Sequence, residues 1–507
     1  MMLLRTSDGA GRRSAASRIA ASALVLGLVT APVTVAGQAW ARSAPDGFAD
    51  LIANVAPAVV QITTRQSAPE NEAGGGDLSQ IPEQFREGPL RDFFERFFQE
   101  GGPGQSPGPK AERSALGSGF IISGDGIVVT NNHVIGNAEK MDVTLKDGSR
   151  FSAKLIGSDD KTDLAVLKIE ADRPLPVVAW GDSDHSRVGD WVVAVGNPFG
   201  LSGTATAGII SSRGRDIGAG PYDDFIQIDA PINTGNSGGP LFDTDGAVIG
   251  VNTAIYSPSG GNVGIGFAIP SNAARKVVAA LQEKGTVSRG WLGVAIQPVT
   301  SDVADGLGLS KAAGALVATV TPDSPADKAG LRQGDVVLAF NGQEIATPRE
   351  LSRAVADASA GEKGKLQVWR DNREIDVSVR IGEMPKQVAS NEPDQKHAPG
   401  RHGGGGVELG ALGLTLAPLD DAGRQRWGLA ENASGVLVAS VDAKADAAEK
   451  GLQPGDVITR VNQQEVKTPA DVEKAVEKAK SAQRKTVLLL VDRHGTQQFV
   501  AVEFTRA

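Results

Sequence analysis

Residues 330–351, GLRQGDVVLAFNGQEIATPREL, align without a gap to residues 451–472, GLQPGDVITRVNQQEVKTPADV, and Gly, Leu, Gly, Asp, Val, Asn, Gln, Glu, Thr and Pro recur in order. A match of this kind requires a duplicated module. Each copy reads as a Gly-Asp-Val turn into a strand, an Asn turn, and a Thr-Pro helix start, with helices expected over 348–358 and 469–480. Between the copies lies EMPKQVASNEPDQKHAPGRHGGGG, residues 383–406, whose composition is that of a flexible linker. The modules are therefore expected over 286–382 and 407–507.

The remaining N-terminal half needs its own core, because 507 residues exceed what one domain encloses. Its first residues carry Arg5, Arg12, Arg13 and Arg18, then IAASALVLGLVTAPVTVAG, then Ala39-Trp40-Ala41 in small-x-small form. This is the pattern of a secretory signal peptide over 1–41. A membrane anchor is the weaker reading, since the apolar run is barely long enough to span and Pro32 interrupts it. A mature, exported chain is expected to begin near Arg42. The net charge of -9 and the pI near 5.3 argue against nucleic acid as a partner. The chain has no cysteine, which removes disulfides and thiol catalysis.

From Gly119 to Ile269 the sequence is a succession of short apolar or alternating runs: GFIIS, GIVVTN, DVTL, DLAVLKI, WVVAVG, DFIQID, AVIGVNTAI and IGFAI. Gly, Asp and Asn turns separate them, as in an all-β barrel or sandwich. An earlier strand, AVVQITT over 58–64, is split from these by a Gly/Pro/Glu-rich insertion at 66–113. Within it, RDFFERFFQ puts Phe93, Phe94, Phe97 and Phe98 on one helical face.

Residues 232–242, INTGNSGGPLF, set Ser237 among three glycines and a proline. Taken alone, this reads as an ordinary tight turn. A serine hydroxyl becomes a useful nucleophile when a base takes its proton, and histidine is the usual base. Of five histidines, His397 and His402 fall in the linker and His494 near the C-terminus, leaving His133, at the end of a strand, and His185, in the polar loop GDSDHSRVGD. Asp163 opens DLAVLKI, where a strand would hold a carboxylate able to orient a base. The order His133, Asp163, Ser237 is that of chymotrypsin-type hydrolases. GNSGG also satisfies the nucleophile elbow of α/β-hydrolases, but an esterase of that fold needs a helix after the serine and a later histidine to complete the triad, whereas here a β run follows and the later histidines fall in the linker or the repeats.

The set TNNHVI, DLAVLKI and GNSGGP, followed by two modules that look like PDZ domains, resembles the HtrA family of exported serine proteases in its DegP-like form. The resemblance runs from about Gly47 to the C-terminus. It implies a mostly β chain, with a chymotrypsin-like double β-barrel protease domain over 42–285, a regulatory loop insertion at 66–113, PDZ domain 1 over 286–382, the linker 383–406 and PDZ domain 2 over 407–507. It makes Ser237 the nucleophile, His133 the general base and Asp163 its orienter. Backbone N–H groups of Gly235, Asn236 and Ser237 would form the oxyanion hole. Ile232, Ile255 and Ile265 would line the pocket for the residue before the cut bond, giving cleavage after small aliphatic residues. Trp291, Leu292, Gly293 and Val294 would hold a peptide carboxylate in the first PDZ domain. The matching loop of the second, Ala411 to Leu414, reads better as a plain turn in a module that serves assembly. Arg215 is similar to the family's sensor-loop arginine, whereas Thr234 stands where close relatives often carry arginine, a departure that bears on activation.

The activity implied is an ATP-independent periplasmic endopeptidase for unfolded or misfolded exported proteins, with no metal and no cofactor. The partners implied are unfolded protein and peptide substrates, further copies of the chain in trimers and higher oligomers, and peripheral contact with membrane; nucleic acid is not among them. The rival reading is a chaperone or PDZ peptide-binding protein with only minor proteolysis, against which the complete triad weighs.

Overall fold

The computed structural model describes residues 45–66, 113–196, 203–218, 220–233, 235–257, 262–385, 406–431, 433–462 and 464–504. The leader expected over 1–41, the four phenylalanines of the insertion, Thr234 and the middle of the linker lie outside the described residues.

Two closed six-stranded antiparallel barrels come first. Strands β1 (Val59–Gln66), β2 (Arg113–Ser123), β3 (Ile127–Thr130), β4 (Lys140–Thr144), β5 (Arg150–Asp159) and β6 (Leu164–Ile169) close in the order β1-β2-β3-β6-β5-β4. Strands β7 (Trp191–Gly196), β8 (Thr204–Arg215), β9 (Phe225–Ile228), β10 (Pro240–Phe242), β11 (Val248–Ile255) and β12 (Gly266–Pro270) close as β10-β11-β12-β9-β8-β7. Strands such as IVVT and LAVLKI have almost no polar alternation because both of their faces are buried. Ala165, Leu167 and Ile169 of β6 fill the first barrel, while Leu164 and Val166 join a second cluster shared with the other barrel. The long insertion leaves and returns on one rung of the first barrel, since Gln66 pairs directly with Arg113.

The helix Ser271–Lys284 packs Ala274, Val277, Val278 and Leu281 into the cluster shared by the two barrels, against β5 and β6 as well as β11, and ends at Gly285, whose φ of 70° is the left-handed helix stop that glycine favours. The first repeat module follows. Strands β13 (Gly290–Trp291), β14 (Val294–Pro298), β15 (Ala315–Val320), β16 (Val336–Phe340), β17 (Gln343–Glu344), β18 (Lys363–Arg370), β19 (Arg373–Arg380) and β20 (Gly382–Glu383) build it, with β14 on the sheet edge. The Thr-Pro start expected from sequence gives the helix Pro348–Asp357, in which the Thr347 side chain accepts from Glu350 N. The second module repeats the plan with β21 (Val407–Leu409), β22 (Leu414–Pro418), β23 (Val436–Val441), β24 (Val457–Val461), β25 (Gln464–Glu465), β26 (Thr486–Arg493) and β27 (Thr496–Glu503). Its helix Pro469–Ser481 opens with a full capping box between Thr468 and Asp471.

The two modules pack sheet against sheet. Val487, Leu489 and Val491 of β26 enter the core of the second module, whereas Leu488 and Leu490 point the other way, into a cluster with Leu316 and Val336 of the first. Phe499 and Ala501 of β27 and Val303, Ala304 and Leu307 complete this shared core. Each of the Val, Leu and Phe side chains among them is worth roughly 1.5–3 kcal/mol when fully buried. At the rim, the Gln297 side chain and the Phe499 backbone exchange hydrogen bonds of 2.9 and 2.8 Å.

The first module also contacts the barrels through charge. Arg349 and Arg353 of the helix Pro348–Asp357 pair with Asp216 and Asp224, in the loop between β8 and β9, and Lys276 pairs with Asp357 at 2.6 Å. Among the described residues no helix is long and apolar enough to cross a membrane.

Candidate active site

His133 and Asp163 touch on the first barrel and Ser237 lies on a turn of the second that is clamped to β2 of the first; all three are buried, His133 being 1% exposed, Asp163 1% and Ser237 0%. His133 does not end a strand as expected. β3 stops at Thr130, and the histidine sits in a one-turn helix, Asn132–Ile135. Four residues are too few to sustain a helix in isolation. This one is held from outside, because Asn132 N donates to Asp163 O at 3.0 Å and His133 N donates to Asp163 Oδ1 at 2.9 Å.

Asp163 lies just ahead of β6 rather than within it, at a φ of 55°. That left-handed conformation costs a non-glycine residue roughly 1–2 kcal/mol and persists where its surroundings over-determine it. Here they do. Its carbonyl accepts from Asn132 N and, at 2.7 Å, from Asn131 Nδ2, and its second carboxylate oxygen lies 2.6 Å from His133 Nδ1. The Asp163 carboxylate thus fixes both the backbone and the ring of His133. An imidazole held at Nδ1 presents Nε2 as its proton acceptor.

Ser237 enters from the second barrel on a turn packed too closely for side chains. A Cβ on Gly238, at φ 83°, would stand 2.3 Å from Ser118 O, and one on Gly239 would stand 2.4 Å from Val195 O. Ser118 of β2 clamps the turn across the seam: its N–H donates to Ser237 O at 2.9 Å and its hydroxyl to Gly235 O at 2.5 Å. Gly238 N and Asn252 O, and Asn252 N and Gly239 O, tie the turn to β11 at 2.8 and 2.9 Å. The Ser237 hydroxyl donates to Thr253 O at 3.2 Å. Asn131 Nδ2, besides holding Asp163, reaches Thr253 Oγ1 at 3.2 Å, so Asn131 and Thr253 bridge the two halves of the site. Neither residue, nor Ser118, was singled out from sequence.

The other expected residues divide. Asn236 N donates to Asn233 O at 3.0 Å, so of the three N–H groups expected to face an oxyanion this one is already committed. Ile232 and Ile255 are 0% and 2% exposed and share one apolar cluster with the half-buried Ile265, beside the serine turn. His185 is a surface residue, its Nδ1 2.7 Å from Asp182 Oδ2, and Asp182 is held down to about 2 by Asn272, His185 and the Asp184 N–H. Arg215 ends β8 with its Nε bonded to Gln227 Oε1 at 2.7 Å. It stands one residue before the Asp216 that pairs with Arg349.

In the first module the loop Trp291–Val294 ties its carbonyls inward, Leu292 O accepting from Ala326 N and Gly293 O from Thr321 N, both at 2.8 Å. In the second, Leu412 N and Gly413 N are spent inside a tight turn on Leu409 O and Gly410 O, at 3.0 and 3.3 Å.

Comparison with known proteins agrees with this architecture. The model of the trypsin-like peptidase domain matches residues 117–251, and that of the PDZ domain matches residues 290–381 and 410–504. The chain is 47% identical over 513 residues, 97% of both chains, to a probable periplasmic serine endoprotease DegP-like of Brucella suis biovar 1 (strain 1330). It is 43% identical over 528 residues, 99% of this chain and 100% of the other, to one from Rhizobium meliloti (strain 1021). The solved structure of the HtrA-type protease AlgW with decapeptide is similar over 67% of this chain and 100% of its own, with 40% identity and a TM-score of 0.55. Two β-barrels with a seam between them, two PDZ domains and identity of this extent place the chain in the HtrA family of serine endoproteases, among its DegP-like members.

Proposed function

We propose that the chain cleaves unfolded exported proteins in the periplasm by a mechanism in which Ser237 is the nucleophile, His133 the general base and Asp163 its orienter. The observation that carries this reading is the double grip of one buried carboxylate on His133, through Nδ1 and through the backbone N–H. A hydroxyl has one proton. Attack therefore begins with rotation of the Ser237 hydroxyl from Thr253 O toward His133 Nε2, which takes the proton as Oγ bonds to the peptide carbon. The imidazolium, stabilised by Asp163, then protonates the leaving amine, and water attacks the acyl-serine by the reverse sequence. With Asn236 N committed to Asn233, the N–H groups of Gly235 and Ser237 are the pair that would receive the oxyanion. One such donor is worth about 3–4 kcal/mol in related chemistry.

The pocket for the residue before the cut bond would be walled by Ile232, Ile255 and Ile265. An apolar slot of branched side chains accepts valine or alanine and leaves a lysine or arginine head unpaired, at a cost of several kcal/mol. The first PDZ domain would take a peptide C-terminus as an added strand on the edge of β14, opposite the helix Pro348–Asp357, with the carboxylate at Trp291–Val294. That helix carries Arg349 and Arg353, whose partners follow Arg215, and this supports a sensing role for the β8–β9 loop.

Digestion of casein by the purified protein, with fragments identified by mass spectrometry, tests the reading. Cleavage after Val and Ala that vanishes in Ser237→Ala is expected. Cleavage that survives this substitution, or that follows Lys, Arg or large aromatic residues, overturns the nucleophile or the pocket respectively.

A further inference from the structure

Arg289, at the entrance to the first PDZ domain, is held more closely than its place just ahead of β13 requires. Its Nη1 and Nη2 lie 2.9 and 2.5 Å from the two carboxylate oxygens of Asp159, and the pair is buried, at 10% and 6% side-chain exposure. The guanidinium stacks 5.0 Å above the Tyr222 ring, and Met384 N donates to the Arg289 carbonyl at 3.0 Å, which ties the residue to the segment directly after β20. The other ion pairs between this domain and the barrels are more exposed. A second close approach supports the first. Gly157, two residues before Asp159 on β5, lies so near the backbone of Gly285 that a Cβ would stand 2.5 Å from its carbonyl.

Asp159 is the last residue of β5 and pairs with Leu164, the first of β6. The four residues between them form the hairpin loop that ends in Asp163. The same Asp159 carboxylate accepts from Thr162 N at 3.1 Å and from the Thr162 hydroxyl. Thr162 is the immediate neighbour of Asp163, whose φ of 55° needs support from both sides. His133 and Asn131 supply it on one side, and the Asp159–Thr162 contacts supply it on the other.

We propose that Arg289 is a positioning residue for catalysis: by its two-pronged grip on Asp159 it sets the hairpin loop that presents Asp163 to His133. The docked PDZ domain thereby contributes a side chain to the alignment of the triad without touching substrate. The proposal rests on the reading of Ser237, His133 and Asp163 as the triad.

The test uses the full chain and a small alkyl fluorophosphonate, which reacts with an activated serine and does not need the PDZ groove. For Arg289→Gln the maximal rate of labelling is expected to fall about ten-fold or more, while half-saturation and the final fraction labelled stay within about two-fold of the unsubstituted chain. Arg289→Lys, which keeps the charge but one prong, is expected to recover part of the rate. Arg289→Gln combined with Asp159→Asn leaves no unpaired buried charge and is expected to be as slow as Arg289→Gln alone. A maximal rate for the double variant within about two-fold of the unsubstituted chain, or a loss confined to the final fraction labelled, overturns the proposal. Labelling that persists in Ser237→Ala overturns the triad reading on which it stands.

Discussion

Asp163 holds His133 twice, Oδ2 lying 2.6 Å from the ring Nδ1 and Oδ1 accepting the backbone N–H at 2.9 Å. Asp163→Asn keeps the shape but replaces one acceptor by a donor, so it forces the wrong tautomer. We predict a loss of about 10⁴-fold in kcat with little change in KM, the size of effect this exchange has in another serine protease. Steady-state kinetics on an unfolded substrate measures it, and a loss below about ten-fold would show that Asp163 does not orient the base.

Gly293 has a φ of 80°, and a Cβ there would stand 2.3 Å from Ser324 Cβ. Gly293→Ala must therefore distort the loop Trp291–Val294. Weaker binding of peptides with a free C-terminal carboxylate is predicted, with fluorophosphonate labelling of Ser237 unchanged. Calorimetric titration of such a peptide, set beside its C-terminal amide, reads the first; equal affinity of the two peptides for the unsubstituted chain would place the carboxylate elsewhere.

Ile265 is the half-buried member of the isoleucine group, so it can be trimmed with less damage to the core than Ile232. In Ile265→Ala, cleavage after leucine or phenylalanine should rise relative to valine by about 10–200-fold, the range that methylene-sized changes in apolar pockets produce. Fragment sequencing by mass spectrometry decides this, and an unaltered preference would remove Ile265 from the pocket.

Burial pushes the Asp216 carboxyl up, but the Arg349 guanidinium and the Gly218 N–H outweigh it and hold the group below its ordinary value. A carboxyl lowered on docking stabilises the docked state above its free value, about 3.9, and that stabilisation is lost as pH falls through the lowered value. Hydrogen exchange of the β8–β9 loop should therefore be slower in the unsubstituted chain than in Arg349→Gln near neutrality, and the two should converge in stronger acid. A constant difference across that window would mean that the pair does not hold the loop.

The pairing of His133 with Asp163 was legible because histidine is rare in this chain. With five histidines and three of them beyond the β-rich region, order alone singles out His133, the histidine that lies against Asp163. The supporting polar residues were harder. Asn131 and Thr253 are visible as polar positions in TNNHVI and VIGVNTAI, but Asn131 finds its partners 32 and 122 residues away, and no local periodicity carries that information. The turn of helix bearing His133 escaped for a related reason: it owes its existence to the Asp163 contacts rather than to its own four residues. The unbroken runs ALVATV and TVLLLV belong to strands buried on both faces, and what covers the second face is a relation between modules that neither run states alone.

The apolar layer that joins the two PDZ domains has a bearing on the connection between them. Leu316 and Val336 on one side and Leu488, Leu490 and Phe499 on the other would all meet water if the domains parted. Adhesion of the pair therefore resides in this layer, and the covalent tether contributes chiefly by raising the local concentration of one partner near the other. A protease that nicked the tether would sever the chain yet leave two pieces that migrate together until a denaturant dissolves the seam.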